Sequence, residues 1–283
     1  MTVSDCLMRG QALGLPSLEA QILFLHAMGR SLHDRAWLLA HGTDEVEAEH
    51  ISRFETFARR RVQHEPVAYI VGQKEFFGLT LHIDKRVLDP RDDTEVLVEW
   101  ALQCGASLAS PRFLDLGTGS GAIALALQSQ RPVAKVMGVD TNPEALKLAA
   151  HNAEKLGLEV SFLQSDWLKQ VTGEFDVIAT NPPYIEAKDP HLAKLQHEPL
   201  SALVSGENGL RDIQIIVKNA SQHLVKGGWL LIEHGWQQAP QVRALLQNEG
   251  YANVQSKLDL AGVERCSGGQ KLTLNSTSPS NMK

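Results

Sequence analysis

Cysteine is scarce: Cys6, Cys104 and Cys266 are the only three in 283 residues, and they stand far apart without metal-ligand spacing. That excludes a disulfide scaffold and a thiolate metal centre, and it fits free thiols in a reducing compartment. Long apolar runs are missing as well. No stretch approaches the ~20 residues of a membrane-spanning helix, and the first residues carry no basic-then-apolar signal. A cytoplasmic protein without membrane contact is expected. Positive charge is in short supply: a formal net charge of -6 argues against direct, non-specific nucleic-acid binding, while leaving a local basic patch open. Repeats and low-complexity linkers are absent too. What remains, 43% hydrophobic and 21% charged residues, is a globular composition with room for one sizeable α/β domain and a smaller one.

The stretch with most chemical content is Asn181-Pro182-Pro183-Tyr184, which follows the apolar run Phe175 to Thr180. That run reads as a buried strand of a parallel sheet, so the tetrapeptide sits at a strand's carboxyl end, where open α/β sheets bind ligands. Asn181 offers a side-chain carbonyl, and the prolines restrict the backbone so that the Pro182 carbonyl can be aimed into a site. Two fixed acceptors can grip both N–H bonds of one planar NH2 group, with Tyr184 lying over it. A Pro-Pro turn that merely caps the strand is the alternative.

Upstream, Phe113 to Leu116 leads into Gly117-Thr118-Gly119-Ser120-Gly121 and the helical run Ala122 to Gln130. Glycines admit a ligand close to the backbone, and the helix start presents free N–H groups. A second strand, Val136 to Val139, ends in Asp140, placed to grip a ribose diol. The spacing also fits a dinucleotide fingerprint. Asp115 tilts the choice, because a carboxylate there repels a pyrophosphate but suits an ammonium group such as that of S-adenosylmethionine; a hydrogen bond to its own turn is the alternative. A third strand, Val160 to Gln164, ends in Ser165-Asp166-Trp167. Asp166 can accept from an adenine amino group and Trp167 can pack on the ring, although a capped turn with a core tryptophan reads equally well.

The remaining elements complete an α/β pattern. Residues 1–73 read as helices, one capped by Ser17 and ending near Gly29, one over Leu32 to Ala40 and one from Glu45 to about Gln63, whose Arg59-Arg60-Arg61 reads as a solvated helix end. Residues 75–88 alternate as a hairpin. Helices are expected over Thr94 to Leu102, Pro143 to Leu156, Gly209 to Val225 and Ala239 to Gly250, with Pro143 in a first turn. Gly228 to Glu233 reads as a fifth strand, and Val254 to Leu260 with Gln270 to Leu274 as a final antiparallel pair. Ile185 to Glu207 has neither period and reads as a lid. His234 could serve as a base but more often such a residue is structural.

These residues carry a resemblance. Asp115-x-Gly117-x-Gly119-x-Gly121, Asp140, Asp166 and Asn181-Pro182-Pro183-Tyr184 resemble the class I S-adenosylmethionine-dependent methyltransferases that act on amide or exocyclic amino nitrogens. Glu65-Pro66-Val67-Ala68-Tyr69-Ile70-x-Gly72, Glu75-Phe76-x-Gly78-Leu79, Pro90-Arg91, Thr94-Glu95, Glu198-Pro199-x-x-Ala202-Leu203 and Glu233-His234-Gly235 closely resemble the release-factor glutamine methyltransferase family (HemK/PrmC), over nearly the whole chain. The resemblance implies a doubly wound, mostly parallel, seven-stranded Rossmann-like methyltransferase sheet with a small N-terminal helical domain. It divides the chain into a substrate-docking domain (1–73), a β-hairpin linker (74–89), a methyltransferase domain (90–275) and a flexible tail (276–283). It implies methyl transfer from S-adenosylmethionine to the N5 amide nitrogen of the glutamine in the GGQ tripeptide of peptide chain release factors, by a monomer without a metal. Asn181, Pro182, Pro183 and Tyr184 are the expected catalytic residues, Asn181, Pro182, Tyr184 and Glu198 the substrate contacts. Asp115, Gly117, Thr118, Gly119, Gly121, Asp140, Asp166, Trp167 and Asn181 are the expected cofactor contacts.

One departure is Asp92, where the family usually has proline, which loosens that turn and adds charge. Gly268-Gly269-Gln270 repeats the tripeptide the family methylates; turn chemistry between the last strands explains it better than self-methylation. A ribosomal-protein glutamine methyltransferase, an adenine or cytosine amino-group methyltransferase of nucleic acid, and a non-catalytic cofactor-binding protein remain as alternatives.

Overall fold

The protein, a computed structural model, is described over residues 1–272, so the expected tail at 276–283 and the end of the expected methyltransferase domain lie outside the described residues. Five helices come first: α1 (Val3–Ala12), α2 (Ser17–Ala27), α3 (Arg35–Ala40), α4 (Ala48–Val62) and α5 (Val67–Val71). Their core is built where Leu23, Phe24 and Leu25 of α2 meet Phe54 and Ala58 of α4, with the Phe24 and Phe54 rings edge to face at 5.5 Å. Burying such side chains contributes about 1.5–3 kcal/mol each. The helix α1 is an element the apolar pattern did not reveal; Thr2 and Asp5 cap one another's backbone N–H at its start. Ser17 is the first helical residue of α2 rather than its cap, because Pro16 takes the capping position. The three consecutive arginines in the last turn of α4 pair inside this part, Arg59 with Glu55, Arg60 with Glu65 and Arg61 with Glu19.

The hairpin follows as β1 (Gln73–Phe76) and β2 (Leu79–His82). Phe77 and Gly78 both have positive φ, the geometry that a two-residue turn matched to strand twist requires. Asp92, the residue that departs from the family pattern, pairs with Lys74 of β1 at 2.8 Å and so ties the turn before the next helix to the hairpin. Both partners reach solvent, and such a pair stabilises by less than about 1 kcal/mol.

The chain then runs α6 (Glu95–Cys104), β3 (Arg112–Leu116), α7 (Ala122–Gln130), β4 (Lys135–Asp140), α8 (Pro143–Leu156), β5 (Val160–Gln164), β6 (Phe175–Thr180), α9 (Arg211–Ala220), β7 (Leu224–Glu233), α10 (Ala239–Asn248), β8 (Ala252–Leu258) and β9 (Glu264–Gln270). The seven strands form one sheet in the order β5-β4-β3-β6-β7-β9-β8. Neighbours are parallel from β5 through β7, and β9 is antiparallel to both β7 and β8. Strand order reverses between β3 and β6. Doubly wound sheets open a ligand crevice at such a switch point, beyond the strands' carboxyl ends. The glycine loop after β3 and the Asn181 turn after β6 lie on either side of it.

Three expectations are corrected. The helix read over Gly209 to Val225 is the shorter α9, because β7 begins at Leu224 and bulges where Gly227 turns back with φ +79°. The last strand is Glu264–Gln270, earlier than Gln270 to Leu274, because Asp259 closes the preceding turn by accepting the N–H of Ala261 and Val263. Gly268-Gly269-Gln270 therefore lies within a central strand, not in a turn. A Cβ on Gly268 would come within 2.6 Å of Leu231 and 2.8 Å of Trp100, so the small residues let β9 fit between its neighbours. The Gln270 amide donates to the Gly227 carbonyl and accepts from Asn253, which leaves it engaged in the sheet.

Candidate active site

The glycine loop is anchored to the neighbouring strand. The N–H groups of Gly117 and Thr118 both donate to the Val139 carbonyl at 2.8 Å. At Gly119 the backbone adopts φ +54°, and its N–H donates to Asp140 Oδ2 at 2.9 Å. The other oxygen, Oδ1, accepts from Asn142 N, also at 2.9 Å. Each carboxylate oxygen keeps a further lone pair. Asp140 lines a cavity at the switch point together with Gly117, Thr118, Gly119, Trp167 and Asn181. Burial pushes its carboxyl above the ordinary value, against the backbone N–H groups that hold it charged.

Trp167 has φ +51°, a left-handed conformation that costs a non-glycine residue about 1–3 kcal/mol and recurs at functional sites. Its ring lies against the glycine loop, 3.4 Å from where a Cβ of Gly117 would stand, and its Nε1 donates to buried Asp212 at 3.2 Å. The ring forms part of the wall. Its neighbour Asp166 does not. The Asp166 carboxylate is half exposed and pairs with Lys169 at 2.6 Å, so Ser165 and Trp167 are the residues of this loop that reach the cavity.

Asp115 is fully buried behind the loop. It accepts from the Thr118 hydroxyl at 2.6 Å and from Ala124 N at 3.2 Å, while its Oδ1 has no partner. The loop itself therefore takes up this carboxylate, and Asp115 is not part of the cavity wall. Gly121 is likewise structural, with Ala149 and Leu125 packed too closely for a larger residue. Burial raises the Asp115 carboxyl from 3.8 to about 7, against the bonds from Thr118 and Ala124. Because the folded value exceeds the unfolded one, ionisation of Asp115 destabilises the fold increasingly between pH 3.8 and about 7, and by a constant amount above. The melting temperature of Asp115→Asn minus that of the parent is expected to rise across this window and then level off. A difference that does not change with pH would exclude the buried charge as the cause.

At the end of β6, Asn181 and Pro183 face the same cavity, Pro182 is buried, and Tyr184 packs among the residues under α9. Burial, with Glu233 nearby, raises the Tyr184 phenol well above its usual range. The Tyr184 carbonyl accepts from Gln238 at 3.1 Å. Glu198 is placed apart from this cavity. Its Oε1 binds Arg91 and its Oε2 accepts from Asp89 N at 3.2 Å, in the wall of a second cavity that also includes Glu19, Arg61 and Lys74. The segment expected to be a lid is a strap: Pro199, Ser201 and Ala202 wall the first cavity, Lys194, Leu195 and Glu198 the second. His197 reaches across to the Gln63 carbonyl at the end of α4.

Sequence reasoning gave Thr94 and Glu233 no role beyond the resemblance; both are buried beside Asn181. His234, in contrast, is fully buried with Nε2 on Ser267 and Nδ1 on the Gly235 carbonyl, so both ring nitrogens are occupied. Among the described residues no cluster of His, Cys, Asp and Glu could hold a metal ion, and no helix is long and apolar enough to cross a membrane.

A glycine loop braced by the Asp140 carboxylate on one side of the switch point, facing the Asn181 turn on the other, belongs to a Rossmann-like methyltransferase fold. The fold agrees with the methyltransferase of Pyrococcus furiosus, at a TM-score of 0.55 and 19% identity over 70% of this chain and 91% of that one. Residues 92–206 match the family described as Methyltransferase small domain, and residues 6–72 the PrmC N-terminal domain. Identity is 46% to the release factor glutamine methyltransferase of Bordetella pertussis, covering 90% of this chain and 95% of the relative. It is 47% to that of Yersinia pestis, covering 90% and 92%. The chain belongs to the release factor glutamine methyltransferase family.

Proposed function

We propose that the protein methylates the side-chain amide of the GGQ glutamine of peptide chain release factors, using S-adenosylmethionine. The observation that carries this reading is the meeting of Asn181 and Pro183 with Gly119 and Asp140 on one cavity wall, because it sets a planar-NH2 acceptor beside a ribose-binding carboxylate. The fit to the cofactor is tested by Asp140: after its two backbone bonds it retains one lone pair on each oxygen, which suits two adjacent hydroxyls. Gly117 to Gly119 give the close backbone approach, and Trp167 gives an apolar face for a flat ring. Asp115 supports the loop from behind.

The cofactor supplies an electrophilic methyl group, and the residues of the chain supply alignment. An amide nitrogen is a weak nucleophile because its lone pair is delocalised. The Asn181 carbonyl and the Pro182 backbone hold the amide's two N–H bonds, and Tyr184 limits the space beside it. Positioning of this kind can lower a barrier by roughly 7–11 kcal/mol. No base is needed before attack, and the amide proton leaves afterwards to water.

The helical part, residues 1–73, is the docking module in this reading, and Arg91 with Glu198 ties the strap to the loop beneath it. The protein works as a monomer in the cytoplasm. The test is transfer of a labelled methyl group to purified release factor, run beside ribosomal protein and DNA, with a GGQ glutamine-to-alanine control. Label that vanishes in the control supports the reading; label on DNA or ribosomal protein moves the partner to another class. For the cofactor side, Asp140→Asn is expected to weaken S-adenosylmethionine binding about 10–100-fold, the effect of losing hydrogen bonds to a charged group. Isothermal titration checks this, and unchanged affinity would remove Asp140 from the site.

A further inference from the structure

Two buried polar residues stand against Asn181. Thr94, 4% exposed, immediately precedes α6, and Glu233, 2% exposed, ends β7. The Asn181 Nδ2 donates to Thr94 Oγ1 at 3.2 Å. Asn181 and Glu233 directly follow the paired residues Thr180 and Ile232 of β6 and β7. The Glu233 Oε2 is buried without a hydrogen-bond partner, and the nearby Thr94 hydroxyl and Asn181 amide favour its charged form. An ionised carboxylate only accepts, and a threonine hydroxyl has one proton to give. Once that proton is given to Glu233, Thr94 offers Asn181 only lone pairs. The Asn181 NH2 must then face Thr94, which turns its carbonyl oxygen away from this pair.

We propose that Thr94 and Glu233 are positioning residues that fix the polarity of this hydrogen-bond chain, so that Asn181 presents its carbonyl, and not its NH2, to the incoming amide. The inference rests on the glutamine-amide reading above. With the opposite orientation, two NH2 groups would face each other and the acceptor amide would be repelled. Nothing in the Asn-Pro-Pro-Tyr stretch itself selects between the two amide orientations, which are nearly equal in shape. The selection comes from a neighbour that is acceptor-only, at the end of another strand.

The state of Glu233 supports this. Burial raises its carboxyl from 4.5 to about 7; Thr94 opposes that rise, Asp93 adds to it, and Arg265 and Asn181 oppose it in turn. Arg265 is shared with Asp93 at 3.4 Å and Asp259 at 3.2 Å, and Tyr184 and Cys266 are the other titratable neighbours. A protonated Glu233 can donate, and the chain then loses its fixed direction. Turnover is therefore expected to fall as the pH drops through about 7.

The experiment compares Thr94→Val, which keeps the shape and removes the hydroxyl, with Thr94→Ser, which restores it, and with Glu233→Gln, which can both donate and accept. With release factor as substrate, Thr94→Val is expected to lose about a hundredfold in kcat. Its S-adenosylmethionine affinity and melting temperature should stay near those of the parent. Thr94→Ser should return to near the parent kcat, and Glu233→Gln should fall between them and lose the acid limb of the pH profile. Water exchange of the Asn181 NH2 protons, followed by NMR, gives a readout independent of substrate: it should be at least about tenfold faster in Thr94→Val, in proportion to the hydrogen bond lost. Equal kcat in Thr94→Val and Thr94→Ser, or equal exchange rates in Thr94→Val and the parent, overturns the inference. Should the parent transfer no methyl to release factor, the substrate reading fails, and the exchange rates still decide the polarity.

Discussion

Asn181→Ala is expected to lose about 10²–10³ in turnover on release factor, the range seen when one preorganised hydrogen-bonding group is deleted from a reacting centre. Binding of S-adenosylmethionine should change little, because Asp140, the Gly117 to Gly119 backbone and Trp167 wall the other side of the cavity and do not depend on the Asn181 amide. The fold should also hold: Asn181 is only half-buried, and its side chain is held by one hydrogen bond, 3.2 Å to Thr94. Losing a neutral hydrogen bond of this kind costs about 0.5–1.5 kcal/mol. Single-turnover transfer measured beside equilibrium binding separates the two effects. Turnover equal to the parent would remove the amide from the mechanism, and loss of cofactor binding in step with turnover would make Asn181 a cofactor residue instead.

The legible parts of this protein were those where local chemistry and tertiary context agree. The runs Phe113 to Leu116 and Phe175 to Thr180 are mostly apolar, and the sheet buries them as parallel strands, while Val160 to Gln164 forms its half-exposed parallel edge. Pro143 marks the first turn of α8, where Asn142 caps the helix. The strand β9 was not legible in the same way. Glu-Arg-Cys-Ser-Gly-Gly-Gln is a poor strand sequence, and it becomes one because Leu231, Trp100 and Tyr251 leave no room for side chains at Gly268 and Gly269. Such a requirement is set by neighbours far away in the chain. The same holds for the site. The strand ends announced Asn181, Asp140 and the glycines. Which of Asp115, Asp166 and Trp167 reaches the cavity depended on loop geometry: a left-handed Trp167 turns its ring to the wall, and Asp166 is left to Lys169. Thr94 and Glu233 carry no local signal, since a threonine before a helix and a carboxylate at a strand end are common, and only their meeting gives them meaning.

Gly209 shows how such a distant contact can be tested, and Gly209→Ala is expected to be among the most damaging small changes in the chain. Its φ is +71°, which alanine adopts only with strain. A Cβ there would stand 2.2 Å from the Tyr184 carbonyl oxygen and 2.7 Å from Gln238 Nε2. Neither neighbour can give way freely. Gln238 is held at both ends of its amide, donating to the Tyr184 carbonyl at 3.1 Å and accepting from Gly235 N at 2.8 Å. The Tyr184 backbone leads directly into the strap, where Ile185 N donates to the Leu203 carbonyl at 2.8 Å. Relief must therefore shift the Asn-Pro-Pro-Tyr turn itself. Strain and overpacking together should cost roughly 2–4 kcal/mol, which lowers the melting temperature by about 3–7 °C in a chain of this size. Gly157→Ala is the matched control, since Gly157 ends α8 with φ +64° and has nothing within 4 Å of a Cβ. It should show the strain alone, about 1 kcal/mol, with turnover unchanged. If the two variants melt together, the contact with Tyr184 carries no weight. If Gly209→Ala melts lower and loses turnover while still binding S-adenosylmethionine, the position of the tetrapeptide is set by the glycine that leads into α9, and a displacement of the order of 1 Å there is enough to uncouple binding from transfer.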